Sequence, residues 1–354
     1  MSDADPAAPA PTPEPFAAPA ARARMAPPTD PVPDNGYRWW YLDGTSDDGR
    51  HALTAIVFIG SVFSPWYRFA RRGGRRAAAL EHAAVNLALY GPVERWCMTE
   101  RGAGAVRATR DALAIGPTTM HQGETTLRLD IDERGAPFPR RLRGTIEVDA
   151  TPAPVVPARH LDAAGHHEWQ PIAPQTRIRV RMAEPALSWE GIAYVDTNRG
   201  SVPLEDSFAT WHWSRAHAAD GATLVRYDVV ERDGAASSRT LEIDASGRIE
   251  ERDPGVSHTL PPTRWFGMAR PTRLRAGARF EGLQTLENAP FYSRSRGIER
   301  VGEARHSAVH ESLDMDRFVH PLVQCLLPVR TPRVPRRAAG GRGAAGPVAE
   351  PGTD

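Results

Sequence analysis

Aromatic and carboxylate side chains alternate along residues 39–43 (WWYLD). Successive side chains of a β-strand point to opposite faces, so Trp39, Tyr41 and Asp43 would share one face if this segment is a strand. That face would combine rings with a carboxyl group, which suits acid chemistry on an apolar substrate. In the alternative interpretation the rings belong to an ordinary core, and Asp43 opens the turn that follows at 46–49.

A second alternating segment covers residues 191–200 (GIAYVDTNRG), in which Tyr194, Asp196 and Asn198 would share a strand face. The residues beside Asp196 are small or apolar. A carboxyl group that loses its hydration has a raised pKa, and it can then stay protonated near neutral pH, as a general acid must. Asp196 is therefore the first candidate for a catalytic acid, with Tyr194 and Asn198 placed to orient a proton or a water molecule. The alternative is a turn aspartate that accepts backbone N–H bonds.

Two tryptophans flank a histidine in residues 211–213 (WHW), which places Trp211 and Trp213 on one strand face and His212 on the other. Two such rings can wall a polyene or stabilise a cation, by about 0.5–2 kcal/mol per ring. They can equally fill a core, and a lone histidine is more often structural than catalytic. His212 is thus a secondary catalytic candidate.

Arginines and rings cluster in residues 63–76 (FSPWYRFARRGGRR). Aromatic rings settle at the headgroup depth of a bilayer, and each basic residue near an anionic surface adds about 1 kcal/mol of attraction. The cluster therefore suggests peripheral contact with an anionic membrane through seven side chains: Trp66, Tyr67, Arg68, Arg71, Arg72, Arg75 and Arg76. A solvated hairpin loop is the alternative.

Several classes of protein are disfavoured by composition. A formal charge of +1 gives no case for nucleic-acid binding. Cys97 and Cys325 are too few and too far apart for a disulfide scaffold or a Cys-based zinc site. No nucleophile elbow or nucleotide fingerprint is present, and the His166-His167-Glu168 run lies in a polar crossing without a third ligand at metal-binding spacing, so we expect neither a metal nor a cofactor. The sequence also lacks a secretory signal and a run of about 20 apolar residues, so we expect a cytoplasmic location.

The candidate residues lie in segments whose pattern is mostly that of β-strands, so strands are the elements that would position them. Period-two alternation, with turn residues between the segments, is typical of antiparallel sandwiches and barrels, and helical pattern is scarce. The sequence therefore predicts an all-β fold. The predicted strands cover residues 51–60, 84–90, 126–131, 144–148, 177–182, 191–195, 223–230 and 239–243.

Proline density defines the limits of the folded part. Residues 1–33 are rich in proline, which interrupts helices and strand ladders, and the chain from 330 to 354 repeats this composition. We predict disordered tails at 1–33 and 330–354. The Pro-rich and polar stretch between 151 and 170 predicts a crossing between two β domains, 34–170 and 171–329.

At these segments the chain resembles the carotenoid 1,2-hydratases, also called hydroxyneurosporene synthases, of purple photosynthetic bacteria. The resemblance covers nearly all of residues 35–330, and its most specific stretches are 61–65 (SVFSP) and 211–215 (WHWSR). The other matching stretches are 39–43, 46–51, 86–91, 98–101, 189–200, 203–205, 290–295 and 310–313.

The resemblance implies two lipocalin-like β-barrel or sandwich domains and a cofactor-independent hydro-lyase. Its relatives add water across the terminal 1,2 double bond of an acyclic carotene such as neurosporene or lycopene. From residue chemistry, Asp196 would protonate C2 and water would capture the tertiary C1 cation, with Asp43 as second choice or partner. The end-group pocket would be lined by Trp39, Tyr41, Trp211 and Trp213. The alternative is a lipocalin-like carrier that binds an isoprenoid or lipid without changing it.

Overall fold

Alternating burial runs through the strand segments. In Thr126–Arg134, for example, Leu127, Leu129 and Ile131 are buried, whereas Arg128 between them is exposed. The computed structural model describes residues 27–150 and 158–334, and every strand pair in this part of the chain is antiparallel. The all-β prediction is confirmed.

The first sheet has 12 strands and contains the predicted site segments 39–43 and 191–200. Its strand order is β4-β3-β2-β1-β12-β11-β9-β8-β7-β6-β5, with β10 paired to β11. The strands are β1 (Tyr37–Ser46), β2 (Ala52–Ile59), β3 (Ala83–Tyr90), β4 (Arg95–Arg101), β5 (Val106–Ala108), β6 (Ala112–Ile115), β7 (Thr118–Gln122), β8 (Thr126–Arg134), β9 (Arg141–Asp149), β10 (Arg159–His160), β11 (His167–Glu184) and β12 (Leu187–Gly200).

The second sheet has seven strands in the order β16-β15-β14-β13-β21-β20-β19, and β17 and β18 form a separate pair. Its strands and those of the pair are β13 (Phe208–His217), β14 (Thr223–Glu231), β15 (Ala236–Ile243), β16 (Ile249–Arg252), β17 (Val256–Leu260), β18 (Arg270–Leu274), β19 (Arg279–Asn288), β20 (Tyr292–Val301) and β21 (Ala304–Asp314). The helices are short: α1 (Pro65–Ala70), α2 (Leu204–Ser207), α3 (Met315–Val319) and α4 (Pro321–Arg330). Single 3-10 turns cover Arg72–Gly74, Ala79–His82 and Ala103–Ala105.

Strand β1 contributes to two different cores because both of its faces are buried. Trp40 and Leu42 point into a core enclosed by the first sheet. Tyr37 and Tyr41, on the opposite face, join a second core that also includes Trp213 and other residues of the second sheet. The candidate site therefore belongs to the face of β1 that meets the second sheet.

The two sheets divide later in the chain than the sequence predicts. Strand β11 runs without interruption through residues 170 and 171, and β12 pairs with β1, so the first sheet extends to Gly200. The predicted boundary at 170/171 thus falls within a strand. Most of the polar stretch that suggested a crossing lies in the turn before β11, and Glu168 and Gln170 are half-buried positions of that strand.

Short parts of both predicted tails pack against the folded chain. Pro27 accepts a hydrogen bond from Arg38, and Val32 packs on the first core, so the disorder prediction is wrong for 27–33. It is also wrong for 330–334, since Arg333 pairs with Glu100 of β4. The remaining tail predictions, for 1–26 and 335–354, lie outside the described residues, as do 151–157.

Candidate active site

Strands β1 and β12 are direct neighbours, and their register brings the two predicted site segments together. Tyr41 lies opposite Asp196, Trp39 opposite Asn198, and Asp43 opposite Tyr194. Because every second residue points the same way, these six side chains lie on one surface. The two alternating patterns in the sequence thus describe one site built from adjacent strands.

A largely apolar cavity lies between this surface and the second sheet. It encloses about 1140 Å³ of empty space, including the part open to solvent at its mouth. Its aromatic and aliphatic lining suits the end group of an apolar ligand. All four predicted substrate-binding residues, Trp39, Tyr41, Trp211 and Trp213, line it, with Ile56, Phe58, Phe63, Asn86, Trp96, Met98, Asp196, Asn198, Tyr227, Phe291, Tyr292, Glu311 and Leu313.

The four predicted rings form two pairs across the gap between the sheets. The ring centroids of Tyr41 and Trp213 are 5.4 Å apart, and those of Trp39 and Trp211 are 6.4 Å apart. These side chains therefore present aromatic surface from both sheets to whatever occupies the cavity.

Asp196 is a carboxyl group in the cavity whose surroundings favour its protonated form. Its Oδ2 accepts hydrogen bonds from Tyr194 Oη at 2.7 Å and from Trp169 Nε1 at 2.8 Å. Its Oδ1 is buried and has no hydrogen-bond partner among the described residues. Burial raises the pKa of Asp196 to about 8, against the opposing effect of these two hydrogen bonds. A pKa of about 8 favours the neutral acid at pH 7, and because Oδ2 already accepts two hydrogen bonds, Oδ1 is the oxygen suited to carry the proton.

Asp43 has the opposite electrostatic environment and does not line the cavity. It is fully buried between two arginines: Arg215 Nε lies 3.0 Å from its Oδ1, and Arg294 Nη2 lies 3.3 Å from its Oδ2. Burial acts to raise the pKa of Asp43, but the two guanidinium groups outweigh it and hold the pKa below its usual value. Asp43 is therefore an ionised member of an ion-pair network, and the structure does not support it as a proton donor.

Glu311, on β21, is a cavity carboxyl that the sequence analysis did not single out. The Tyr41 hydroxyl lies 2.9 Å from Glu311 Oε1 and 3.0 Å from Asp43 Oδ2, and Arg294 also donates to Glu311. Burial raises the pKa of Glu311, although Arg294 acts against the shift. Glu311 and Leu313 alternate on the face of β21 that lies beside Trp211 and Trp213. This alternation was the sequence signal that could have placed Glu311 at the site.

His212 lies outside the cavity. Its ring is on the other face of β13, where Nδ1 lies 3.0 Å from Ser312 Oγ and the ring stacks on His310. Burial lowers the pKa of His212 to about 4, so the ring is neutral at pH 7. The structure does not bring this predicted secondary candidate to the site.

The arginine-rich cluster forms helix α1 and the turn after it, rather than a hairpin loop. Two of its predicted membrane contacts are unavailable to a bilayer. Tyr67 is fully buried, with its hydroxyl donating to the Gly36 carbonyl, and Arg71 is buried in an ion pair with Glu205. The side chains of Trp66 and Arg68 are half-buried, and the exposed members are Arg72, Arg75 and Arg76.

Membrane-spanning helices and grouped metal ligands are both absent from the described residues, 27–150 and 158–334. No helix in these ranges is both long and apolar enough to cross a membrane. Within the same ranges, no three His, Cys, Asp or Glu side chains are grouped as metal ligands.

The fold has relatives among solved structures. An AttH protein from Nitrosomonas europaea superimposes with a TM-score of 0.54 at 14% identity, covering 79% of this chain and 92% of that protein. CghA in complex with Sch210972 gives a TM-score of 0.50 at 12% identity, covering 79% of this chain and 88% of CghA. These likenesses concern the lipocalin-like fold alone.

Sequence relatives are much closer. The acyclic carotenoid 1,2-hydratase of Thiocapsa roseopersicina is 47% identical over 86% of this chain and 74% of that protein. The enzyme of the same name from Rubrivivax gelatinosus is 42% identical over 86% of this chain and 75% of its own length. The one from Cereibacter sphaeroides is 37% identical over 79% of this chain and 98% of its own length. The model of the carotenoid hydratase CrtC family matches residues 55–340. The chain therefore belongs to the carotenoid hydratase family.

Proposed function

We propose that this protein is a hydro-lyase that adds water across the terminal 1,2 double bond of an acyclic carotene such as neurosporene or lycopene, giving the 1-hydroxy-1,2-dihydro product. One observation carries the proposal: an aromatic-walled cavity contains a carboxyl group, Asp196, whose pKa is raised by burial to about 8. An isolated C=C bond has no polar group to activate it, so its hydration begins with direct protonation of the double bond. The proton donor must therefore lie in a pocket that also accepts the apolar chain. The activity for which the relatives are named agrees with this chemistry.

Protonation by Asp196 is the first step. The π electrons of the C1=C2 bond form a new C2–H bond with the proton on Oδ1, which leaves a carboxylate on Asp196 and a tertiary cation at C1. The hydrogen bonds from Tyr194 and Trp169 to Oδ2 stabilise this carboxylate as it forms. In this role Tyr194 is a positioning residue, because it contacts the acid rather than the substrate.

The cation at C1 would be stabilised by the rings around it. Trp39, Tyr41, Trp211 and Trp213 offer their faces or edges to the cavity, and each ring that faces the charge contributes about 0.5–2 kcal/mol. The carboxylate left on Asp196 adds electrostatic attraction. The arrangement therefore lowers the energy of the charged intermediate relative to the neutral substrate.

Water capture completes the reaction, and we assign the proton acceptor to Glu311. Asp196 belongs to the first sheet and Glu311 to the second, so the two carboxyl groups stand on different walls of one cavity. A water molecule that adds to C1 forms an oxonium ion, which loses its proton to the Glu311 carboxylate. The side-chain amide of Asn198, which also lines the cavity, would hold this water. Glu311 then releases this proton to solvent and Asp196 takes one up, which restores both groups for the next turnover.

The direct test is hydration of a defined carotene. Purified protein mixed with lycopene or neurosporene in detergent should yield a product heavier by one water. In heavy water the product should carry one deuterium on C2 that does not wash out, because C2 takes its proton from a solvent-equilibrated acid. Binding of the carotene without any hydrated product would overturn the proposal in favour of a lipocalin-like carrier.

We also propose a cytoplasmic protein that works at the membrane surface. An acyclic carotene dissolves in the bilayer and not in water, so the enzyme must meet it there. The exposed arginines Arg72, Arg75 and Arg76 would attract anionic lipid headgroups, at about 1 kcal/mol each.

A further inference from the structure

Helix α4 forms part of the rim of the cavity. Leu327 and Arg330 of α4, with Thr331 just after it, line the cavity, while Val323 on the same side of the helix is buried in the second core. The helix is attached to α1 through Trp66, whose Nε1 donates to the Thr331 carbonyl at 2.9 Å. Helices α1 and α4 therefore sit side by side, with α4 next to the cavity.

The outward face of α4 is apolar and exposed. Leu322, Leu326 and Val329 are 70%, 60% and 57% exposed, and their spacing places them along one face of the helix. Phe69 of the adjoining α1 is 63% exposed as well. Single exposed apolar residues are ordinary, but a continuous stripe beside the mouth of an apolar cavity indicates an interaction surface.

The charged residues of α1, of the turn after it and of α4 all have one sign. Arg72, Arg75 and Arg76 follow α1 and are exposed, and Arg330 is exposed at the end of α4. The segments 65–76 and 321–330 contain no Asp or Glu. An apolar helical face flanked by arginines matches the interface of an anionic bilayer, where apolar side chains enter the acyl region and basic residues meet phosphates.

We infer that α1 and α4 form a docking surface for an anionic lipid bilayer, and that the carotene passes from the bilayer directly into the cavity beside α4. The choice of this substrate rests on the proposed function. A second copy of the chain is a poorer occupant, because a symmetric contact would set the arginines of one copy against those of the other. The sequence analysis assigned membrane contact to residues 66–76 alone. On the docking surface, apolar side chains of α4 insert into the bilayer, while the arginines attract anionic headgroups.

Vesicle co-sedimentation separates these two contributions. One variant carries Leu322→Gln, Leu326→Gln and Val329→Gln, and a second carries Arg72→Gln, Arg75→Gln and Arg76→Gln. The control is Val256→Gln, which removes an exposed apolar side chain of β17 that is 59% exposed. Phosphatidylcholine vesicles with and without phosphatidylglycerol serve as probes.

We expect the α4 variant to lose at least about tenfold in partitioning to both kinds of vesicle. The arginine variant should lose binding only to vesicles with phosphatidylglycerol, and Val256→Gln should bind like the wild type. Hydration of lycopene in detergent should be unchanged in both variants, while hydration of lycopene held in vesicles should fall with binding. If the α4 variant is poorly folded, Leu322→Gln alone gives the same comparison at smaller amplitude.

Equal vesicle binding by all variants would overturn the docking surface. So would a concentration-dependent dimer in size-exclusion chromatography that the α4 substitutions abolish, since the stripe would then bind a second copy. Vesicle binding is measured without turnover. Loss of binding in the α4 variant, with no hydration by any form of the protein, would therefore uphold the surface and reject the proposed reaction.

Discussion

Replacing Asp196 with Asn should abolish hydration and at the same time stabilise the fold. The amide of Asn cannot donate an acidic proton to C2, and a general acid contributes about 10²–10⁴ in rate, so kcat should fall by at least about a hundredfold. The amide oxygen can still accept the hydrogen bonds of Tyr194 and Trp169, and the amide NH₂ occupies the place of the protonated Oδ1. The fold therefore loses no contact.

The stability gain follows from the raised pKa. In the unfolded chain Asp196 ionises near its usual pKa of 3.8, whereas in the folded protein it holds its proton up to about 8. The folded state binds the extra proton, so the contribution of Asp196 to stability is greatest below pH 4 and declines as the pH rises toward 8. At about 1.36 kcal/mol per pH unit, the wild type carries a penalty of about 4 kcal/mol at pH 7 and about 2 kcal/mol at pH 5, and the Asp196→Asn variant carries no such penalty.

Urea unfolding of the wild type and Asp196→Asn at pH 5 and pH 7 measures this difference. The gain should grow by about 2–3 kcal/mol between the two pH values. Asp43→Asn is the matched control of opposite sign, because it removes the carboxylate that pairs with Arg215 and one of the two carboxylates beside Arg294, and it should cost about 3–5 kcal/mol. A gain for Asp196→Asn that is the same at both pH values, or retained hydration, would refute the reasoning.

The remaining predictions concern the other residues of the cavity and its surroundings. Glu311→Gln should lower kcat about a hundredfold with little change in carotene binding, as judged by the shift of the carotene absorption band; unchanged kcat would remove Glu311 as the proton acceptor. Trp213→Leu should lower kcat about tenfold more than Trp213→Phe, because only the second keeps a ring beside the cation; equal rates would show that the ring contributes packing alone. His212→Gln should leave hydration within about twofold of the wild type, and a large loss would restore this residue to the site.

Local sequence patterns predicted the side chains that share a face. Period-two alternation along residues 39–43 and 191–200 suffices to place Tyr41 and Asp196 on a strand surface, because the alternation is a property of each strand alone. The same rule placed Trp211 and Trp213 opposite His212. The sequence therefore predicted the lining residues that β1, β12 and β13 contribute to the cavity.

Pairing between distant strands could not be predicted in the same way. Tyr41 contacts Glu311, 270 residues later in the chain, and the identity of that partner depends on the order of strands in the second sheet. The charge state of Asp43 likewise depends on Arg215, 172 residues away. The apolar face of α4 was missed because a helix of ten residues leaves only a short periodic signal.

Because both faces of β1 are buried, the geometry of the candidate site depends on the exact register in which β1 pairs with β12. A slip of one residue would send Trp40 and Leu42 into the cavity and bury the Asp43 carboxylate in the first core, away from Arg215. Gly191 helps to forbid such slips, because a Cβ there would lie 2.0 Å from the Thr45 carbonyl oxygen, so only glycine allows β12 to approach β1 this closely. The pairing of β1 with β12 in the correct register therefore also places Asp196 beside the aromatic residues of the cavity. No separate step is needed to assemble the site.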